Sequence, residues 1–160
     1  MRGGDTMLDE MLFFEIRIFK MFCDKAKVSA SEGNKLFDSY GIWKYIEDTY
    51  EMMHLNGDES CLINIFKVLQ LKGIRLGVVG GNIINQELEK TTMDNEQKVF
   101  CAELILTAAI MDMAEDEGIS RQEARSRIIN SPAYDALYNF DTGLWAQGPD
   151  YFRSFYQSVR

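Results

Sequence analysis

Apolar residues recur at helical spacing in the first part of the chain. They fall at Leu8, Met11, Leu12, Phe19, Phe22, Cys23 and Ala26, with Glu15, Lys20, Asp24 and Lys25 among them. This period of about 3.6 residues predicts an amphipathic α-helix. Phe13, Phe14, Ile16 and Ile18 widen the apolar stripe to more than half of the circumference. We therefore expect more than one neighbouring element to cover this helix.

Three shorter helices are predicted to follow. The second runs from Ser29 to about Ser39, and the third passes through Trp43, Ile46 and Tyr50. The piece from Tyr50 to Glu59 then contains the turn signature Asn56-Gly57. The stripe of a fourth helix, which closes near Gly73, is formed by Cys61, Leu62, Ile65, Phe66 and Leu69. These four helices predict one small helical unit.

The second half shows a similar order of elements. A long segment with helical apolar spacing runs from Val99 to Glu117 and stops at Gly118. A helix is predicted from Ser120 to about Asn130, and the next begins at Ser131-Pro132, because proline suits the first helical turn. A last helix is predicted after Gly148. It carries Tyr151, Phe152, Phe155 and Tyr156 at i, i+1, i+4 and i+5, which predicts one aromatic face.

Two helix-capping motifs lie 91 residues apart, Ser29 with Glu32 and Ser120 with Glu123. In each, the serine hydroxyl can accept from the amide three residues on, and the glutamate can reach back to the serine amide. The same shift pairs Trp43 with Tyr134, Ile46 with Leu137, Met53 with Leu144 and Gly57 with Gly148. Identities are close to chance, so the hypothesis of a duplicated helical module rests on the order of caps, turns and apolar positions. Two unrelated helical units are the alternative.

The connector between the halves has a different pattern. Over Leu76–Ile84, β-branched residues flank Gly80-Gly81-Asn82, which predicts a tight hairpin or an extended linker. A nucleotide-binding loop is the weaker alternative, because the glycine spacing fits no phosphate-binding motif. We predict an all-α protein with two similar helical units, 7–73 and 98–160, joined by a connector over 74–97.

The charge balance favours some partners over others. The chain has 25 acidic and 17 basic residues and a formal net charge of −8, so its surface repels phosphate backbones and suits a basic protein partner. No apolar run approaches the roughly 18 residues of a membrane helix. Three scattered cysteines without an export signal predict reduced thiols in the cytoplasm.

Catalytic and metal-binding chemistry is weakly indicated. His54 is the only histidine, and the interpretation we favour is a helix-end histidine that packs and hydrogen-bonds. The adjacent acids Asp58 and Glu59 could hold a metal or act as acid and base, although such pairs are far commoner on solvated helix faces. We predict no catalytic residues, no metal site and no cofactor.

Two candidate binding surfaces lie in the second half. The long helix ends in acids, which oppose its dipole, and aromatic residues follow near the end of the chain. We predict that Asp112, Glu115, Asp116, Trp145, Tyr151 and Tyr156 bind a partner protein. The alternative is a DNA-binding helix-turn-helix-like element at 120–138. It would contact DNA through Arg121, Arg125 and Arg127.

The first half resembles a family of short bacterial domains of unknown function. The similarity covers roughly residues 12–70 and rests on Ser29-x-x-Glu32, Tyr40-Gly41-Ile42 and Tyr50-x-x-x-His54-x-x-Gly57. Leu55 stands where that family usually has threonine, and Asn64 where it usually has aspartate. The second half, from Ile119-Ser120 through Gly148-Pro149-Asp150-Tyr151, is similar to another small uncharacterised helical protein.

The resemblance implies a biological context. Genes of both kinds occur beside genes for ADP-ribosyltransferase-like toxins, which implies an antitoxin-like or accessory role. We therefore predict a non-enzymatic, cytoplasmic protein-binding module of bacterial type. The expected partner is another, basic protein; a homo-oligomer is a further possibility, and binding to nucleic acid or membrane is not expected.

Overall fold

The protein is described from a computed structural model that covers residues 9–74 and 93–159, in which every regular element is helical. The prediction of an all-α fold is confirmed. The helices are α1 (Glu10–Ala26), α2 (Ala30–Ser39), α3 (Ile42–Asn56), α4 (Asp58–Leu71), α5 (Met93–Glu117), α6 (Arg121–Ile129), α7 (Pro132–Tyr138) and α8 (Pro149–Val159). Two 3-10 helices, Phe140–Thr142 and Leu144–Ala146, lie between α7 and α8. The predicted hairpin or linker at Leu76–Ile84 is outside the described residues.

The chain forms two compact units. One consists of Phe14–Thr91, and the other combines Met1–Phe13 with Thr92–Arg160. The second unit is therefore discontinuous in sequence. Its contribution from the start of α1 includes the ring of Phe13, which packs edge-on against Phe100 at 5.7 Å between ring centroids. The predicted division at 7–73, 74–97 and 98–160 assigned the whole of α1 to the first unit.

The core of the unit Phe14–Thr91 is built on aromatic rings. Phe19 of α1 packs edge-on against Phe37 and stacks on Trp43, each at 5.2 Å between centroids. One helical turn later, Phe22 stacks on Phe66 of α4 at 5.0 Å. Burying side chains of this size stabilises a fold by about 1.5–3 kcal/mol each. The rings of α1 thus hold α2, α3 and α4 around it.

A buried polar pair ties α2 to α3 in the same core. The Nε1–H of Trp43 donates to Oδ1 of Asn34 at 3.1 Å, and both side chains are buried. A buried indole N–H without an acceptor would cost about 1–3 kcal/mol. The asparagine therefore allows a tryptophan to fill this position without leaving its polar atom unsatisfied.

Gly33 marks a close approach between α1 and α2. A Cβ added at this position would lie 2.4 Å from Sγ of Cys23 and 3.2 Å from the ring of Phe19. Both distances are shorter than ordinary contact, so the two helices pack through a position that has room only for hydrogen. The corresponding pair 91 residues on is Ala114 and Ala124, both of which are buried.

In the other unit, α5 is the central helix. It contacts α6, α7, α8 and the second 3-10 helix. Its buried side chains are mostly small or aliphatic, among them Ala102, Leu106, Ala109, Ile110 and Met113. Small residues let neighbouring helices approach closely, and the large aliphatic ones fill the space between them. The neighbouring helix α8 supplies the buried aromatic rings of Phe152 and Tyr156.

Both predicted serine caps are present. The Ser29 hydroxyl accepts from the Glu32 amide at 3.1 Å, and the Glu32 carboxylate accepts from the Ser29 amide at 3.0 Å, which completes a capping box. The Ser120 hydroxyl accepts from the Glu123 amide at 3.0 Å. The Glu123 carboxylate instead accepts from Nε of Arg127, also at 3.0 Å. The predicted capping box at Ser120 is therefore only half made.

Backbone details recur in the two units with a shift of 91 residues. The helix ending at Ala26 is followed by Lys27 with φ 58°, and the helix ending at Glu117 by Gly118 with φ 68°. Each left-handed residue closes the helix end with a hydrogen bond from the next amide, Val28 N to Cys23 O and Ile119 N to Ala114 O, both at 3.1 Å. Helices α4 and α8 each follow a glycine with φ near 95°, Gly57 at 94° and Gly148 at 95°. Duplication of one module predicts such recurrence, and the duplication itself stays a prediction.

The units differ most in the segment before that glycine. In one, α3 continues without interruption to Asn56, whereas in the other α7 ends at Tyr138 and two 3-10 helices follow. Polar side chains explain the break, since they compete for backbone groups that a helix would use. Oδ1 of Asn139 accepts from the Asp141 amide at 3.2 Å, and the Thr142 hydroxyl donates to the Ala136 carbonyl at 2.9 Å.

Candidate partner-binding surface

The acidic end of α5 is partly neutralised within its own unit. Asp116 accepts from Arg153 of α8 at 2.8 Å, and Glu117 accepts from Arg127 of α6 at 3.2 Å. Glu115 is exposed and Asp112 is half-buried. Of the three predicted acids, Asp116 therefore has a structural role in fastening α8 to α5. Glu115 and Asp116 are both exposed, whereas Asp112 is not.

The predicted aromatic face of α8 divides into a buried and an exposed part. Phe152 and Tyr156 are 0% and 5% exposed, whereas Tyr151 is 56% exposed. Successive helical residues are about 100° apart around the axis, so Tyr151 cannot share the face that Phe152 presents to the core. Tyr156 was predicted to bind a partner; its ring is instead part of the core and is not accessible in this conformation. Tyr151 remains available.

Trp145 is half-buried at the second 3-10 helix. Its Nε1–H donates to the Phe140 carbonyl at 3.1 Å, and Nζ of Lys98 lies 5.2 Å from the ring centroid. An ammonium group at this distance is attracted to the negative face of the indole. The ring thus connects the 3-10 segment with the start of α5. A half-buried ring in this position can stabilise the 3-10 segment and also contact a partner.

The structure does not leave the three predicted DNA-contacting arginines facing solvent together. Arg121 forms an ion pair with Asp9, and Arg127 is held between Glu117 and Glu123. Arg125 is 3% exposed, so it cannot reach a DNA phosphate in this conformation. The sequence pattern placed three positive charges on one short helix, but two of them lie beside carboxylates and the third lies in the core.

His54 lies in the last turn of α3. Its Nδ1–H donates to the Tyr50 carbonyl at 2.6 Å. Its ring stacks on that of Tyr50 at 4.5 Å between centroids. The side chain is exposed. This geometry agrees with the interpretation of a helix-end histidine that hydrogen-bonds to its own helix.

Burial raises the pKa of the Cys61 thiol to about 12, and the charge of Asp58 adds to the effect. The sulfur lies 3.2 Å from the thioether of Met53 in a buried setting. A thiol with so high a pKa stays protonated at neutral pH and is a poor nucleophile. Cys23 is also buried and Cys101 is half-buried, and none of the three cysteines forms a disulfide.

Large apolar side chains outside the predicted partner-binding residues are also exposed. They are Met52, Leu55, Leu71 and Phe100, with exposed fractions of 61%, 78%, 88% and 49%. A detectable signal was present for two of them. On a helix over 42–56, Met52 and Leu55 fall on the same side as the charged Lys44, Asp48 and Glu51. The sequence prediction for this segment rests on the Asn56-Gly57 turn signature and not on these two side chains.

Comparison with protein-family models, with curated proteins and with solved structures finds no match for this chain. The resemblance to domains from toxin gene neighbourhoods therefore stays a prediction. Within residues 9–74 and 93–159, no three histidine, cysteine or acidic side chains are grouped so that they could hold a metal ion. No helix in the same residues is long and apolar enough to cross a membrane.

Proposed function

We propose that the protein is a non-enzymatic binding module for a basic protein partner, with an antitoxin-like or accessory role. The observation that carries this proposal is Tyr151, a large aromatic side chain left 56% exposed on a helix that buries Phe152 and Tyr156. Tyrosine is among the residues that contribute most at protein interfaces, because it combines a large apolar ring with a hydroxyl group.

A comparison within the chain supports a role for Tyr151 beyond folding. The residue 91 positions earlier is Ser60, which is exposed and is likewise the third residue of its helix. One unit thus has a small polar residue at the place where the other exposes an aromatic ring. A ring is not needed there to form such a helix.

The acids contribute differently from Tyr151. A net charge of −8 attracts a basic partner over distances of about a Debye length, which is about 10 Å at 0.1 M salt. Glu115, which is exposed at the end of α5, takes part in this attraction. Such charges mainly raise the association rate, whereas an aromatic anchor mainly slows dissociation. The resemblance to domains encoded beside toxin genes supports a toxin-type protein as the partner.

The test is photo-crosslinking followed by kinetics. A photoreactive phenylalanine analogue at position 151 should capture a basic protein in the native host, and the same analogue at the exposed position Leu71 should not capture it. With the captured protein purified, Tyr151→Ser should speed its dissociation about tenfold, equivalent to about 1.4 kcal/mol. Capture from both positions, or dissociation that Tyr151→Ser does not change, would contradict the proposal.

DNA binding through α6 is the competing function. Its three arginines are buried or paired with carboxylates, and no other observation favours it. In a gel-shift experiment with the gene's own upstream DNA, we expect no salt-dependent complex of the protein with the DNA. A salt-dependent shift abolished by Arg121→Ala and Arg127→Ala would favour the regulator instead.

A further inference from the structure

The exposed side of α3 combines charged and large apolar side chains. Its members are Lys44, Asp48, Glu51, Met52 and Leu55, all of them exposed. At 3.6 residues per turn they lie within about 100° of one another around the helix axis. Met52 and Leu55 occupy the C-terminal end of this strip. Exposed single apolar residues are common, but two adjacent ones on one helix face form a small contiguous patch.

The surroundings of this patch are acidic. Between Tyr45 and Phe66 the chain contains Glu47, Asp48, Glu51, Asp58 and Glu59 and no lysine or arginine. Two of these acids have basic neighbours, since Lys44 pairs with Asp48 at 3.3 Å and Arg17 pairs with Asp58 at 2.7 Å. Glu51, next to Met52 in the strip, is exposed. The segment that carries the two apolar side chains therefore has an excess of acidic residues.

The other unit does not carry this patch. The residues 91 positions after Met52 and Leu55 are Gly143 and Ala146, which lie in the segment where α7 has given way to 3-10 helices. The helical units thus form with or without large apolar residues at these positions. Burial inside the unit does not account for Met52 or Leu55 either, because both point to solvent, whereas Met53 between them is 3% exposed.

From these observations we infer that the end of α3 is a second docking surface, distinct from Tyr151, for a basic amphipathic helix of a partner protein. The apolar side chains of such a helix pack on Met52 and Leu55, and its lysines or arginines face Glu51 and the neighbouring acids. A helix recognised in this way carries apolar anchors at i, i+3 or i+4 and i+7. Met52 and Leu55, three residues apart on one helix face, offer contacts to such anchors. Charge complementarity selects a basic helix over an acidic one.

The experiment uses the full chain and a synthetic helical peptide of leucine and lysine, with leucines at i, i+3, i+4 and i+7. We expect amide chemical shifts to change within residues 48–59 on titration with this peptide. Leu55→Ser should weaken binding at least tenfold, while Leu71→Ser, at an equally exposed apolar residue of the same unit, should leave it unchanged. Both positions are exposed, so both variants should stay folded, which their amide spectra will show.

Control peptides separate the possible causes. A peptide of the same composition with its leucines spread around the helix should bind at least tenfold more weakly, and one with glutamate in place of lysine should not bind. Equal binding of the scrambled peptide, or an unchanged affinity of Leu55→Ser, would overturn the inference. Self-association through α3 would also overturn it, and would appear as a dimer in sedimentation that Leu55→Ser dissociates. Shifts confined to residues 112–117 and 145–151 would overturn this surface while supporting the proposed function.

Discussion

Ser29 and Ser120 each cap a helix with the same hydroxyl-to-amide bond, and the sequence was sufficient to predict both. The motif of serine followed three residues later by glutamate determines the cap, because both partners lie within one helical turn. The return bond could not be predicted at Ser120. Arg127 lies four residues after Glu123, and the glutamate binds this guanidinium. The motif thus predicts the serine cap reliably. It predicts the bond from the glutamate back to the serine amide only where no charged side chain binds the glutamate instead.

We expect Ser120→Ala to lower the free energy of unfolding by about 0.5–2 kcal/mol, because the Glu123 amide loses its acceptor. Chemical denaturation of the wild type and the variant measures this difference. Ser154→Ala, at an exposed serine in α8, is the matched control and should change stability by less than about 0.5 kcal/mol. An unchanged midpoint for Ser120→Ala would show that the cap does not stabilise the fold.

Cys61 predicts a specific pH dependence. Its folded pKa is raised from an ordinary value of 9.0 to about 12, so the folded state holds the thiol proton more tightly than the unfolded chain does. By linkage, the neutral thiol contributes its full stability below pH 9, and this contribution declines as the pH rises from 9 toward 12. The difference in unfolding free energy between the wild type and Cys61→Ala should therefore shrink over this range. A difference that stays constant would contradict the raised pKa.

At the scale of helices, the period of apolar residues predicted where the helices lie. It was less successful in predicting which side of each helix is buried. Each helix predicted before Gly73 and after Val99 is present, because burial of one stripe determines where a helix forms. The face of Tyr151 was wrong, since adjacent aromatic residues were assigned to one side on spacing alone. The exposure of Met52 and Leu55 was not predicted, although both lie on the same side of α3 as charged residues. Which side of a helix is covered depends on neighbours far away in the sequence.

The crossing of α1 and α2 at Gly33 allows a test by exchange between units. Gly33→Ala should destabilise the protein by about 1–3 kcal/mol, even though alanine favours a helix more than glycine, because the added methyl group meets Sγ of Cys23. Adding Cys23→Ala reproduces the alanine pair found 91 residues later and should restore most of the loss. Chemical denaturation of the two single variants and the double variant gives the coupling between the positions.

Independent effects of the two substitutions would contradict this account of the crossing. Cys23→Ala alone is the necessary control, since it removes a buried sulfur and is expected to destabilise the protein modestly. A double variant as unstable as the sum of the single variants would show that the methyl group does not meet the sulfur.

At the scale of the whole molecule, the charge balance makes a prediction about kinetics. Asp112→Asn combined with Glu115→Gln should slow association with a basic partner a few-fold at low salt while leaving dissociation nearly unchanged, because these acids act at long range. Asp116 is kept, since it binds Arg153. Asp24→Asn, at an exposed acid of the other unit, is the control. If the effect fell mainly on the dissociation rate, the acids would be direct contacts instead.

The division into units was the hardest feature to predict. Sequence order suggested that each half folds on its own segment, and α1 was therefore assigned entirely to the first unit. The actual division depends on contacts between residues more than 80 positions apart, such as Phe13 with Phe100, which no local pattern encodes. The candidate binding residues show the same limit. Exposure of Tyr151 and burial of Tyr156 and Arg125 follow from packing between helices, and the composition of each helix does not reveal it.

Because one unit combines Met1–Phe13 with Thr92–Arg160, a peptide-bond cleavage between residues 74 and 93 would not separate the protein into two independent pieces. The amino-terminal fragment would keep Asp9 and Phe13, the partners of Arg121 and Phe100 in the other fragment. The two fragments should therefore copurify after proteolysis and complement each other when expressed from separate genes. For the same reason, a second copy of the chain could supply these residues in exchange, which is the arrangement that leads to a domain-swapped dimer.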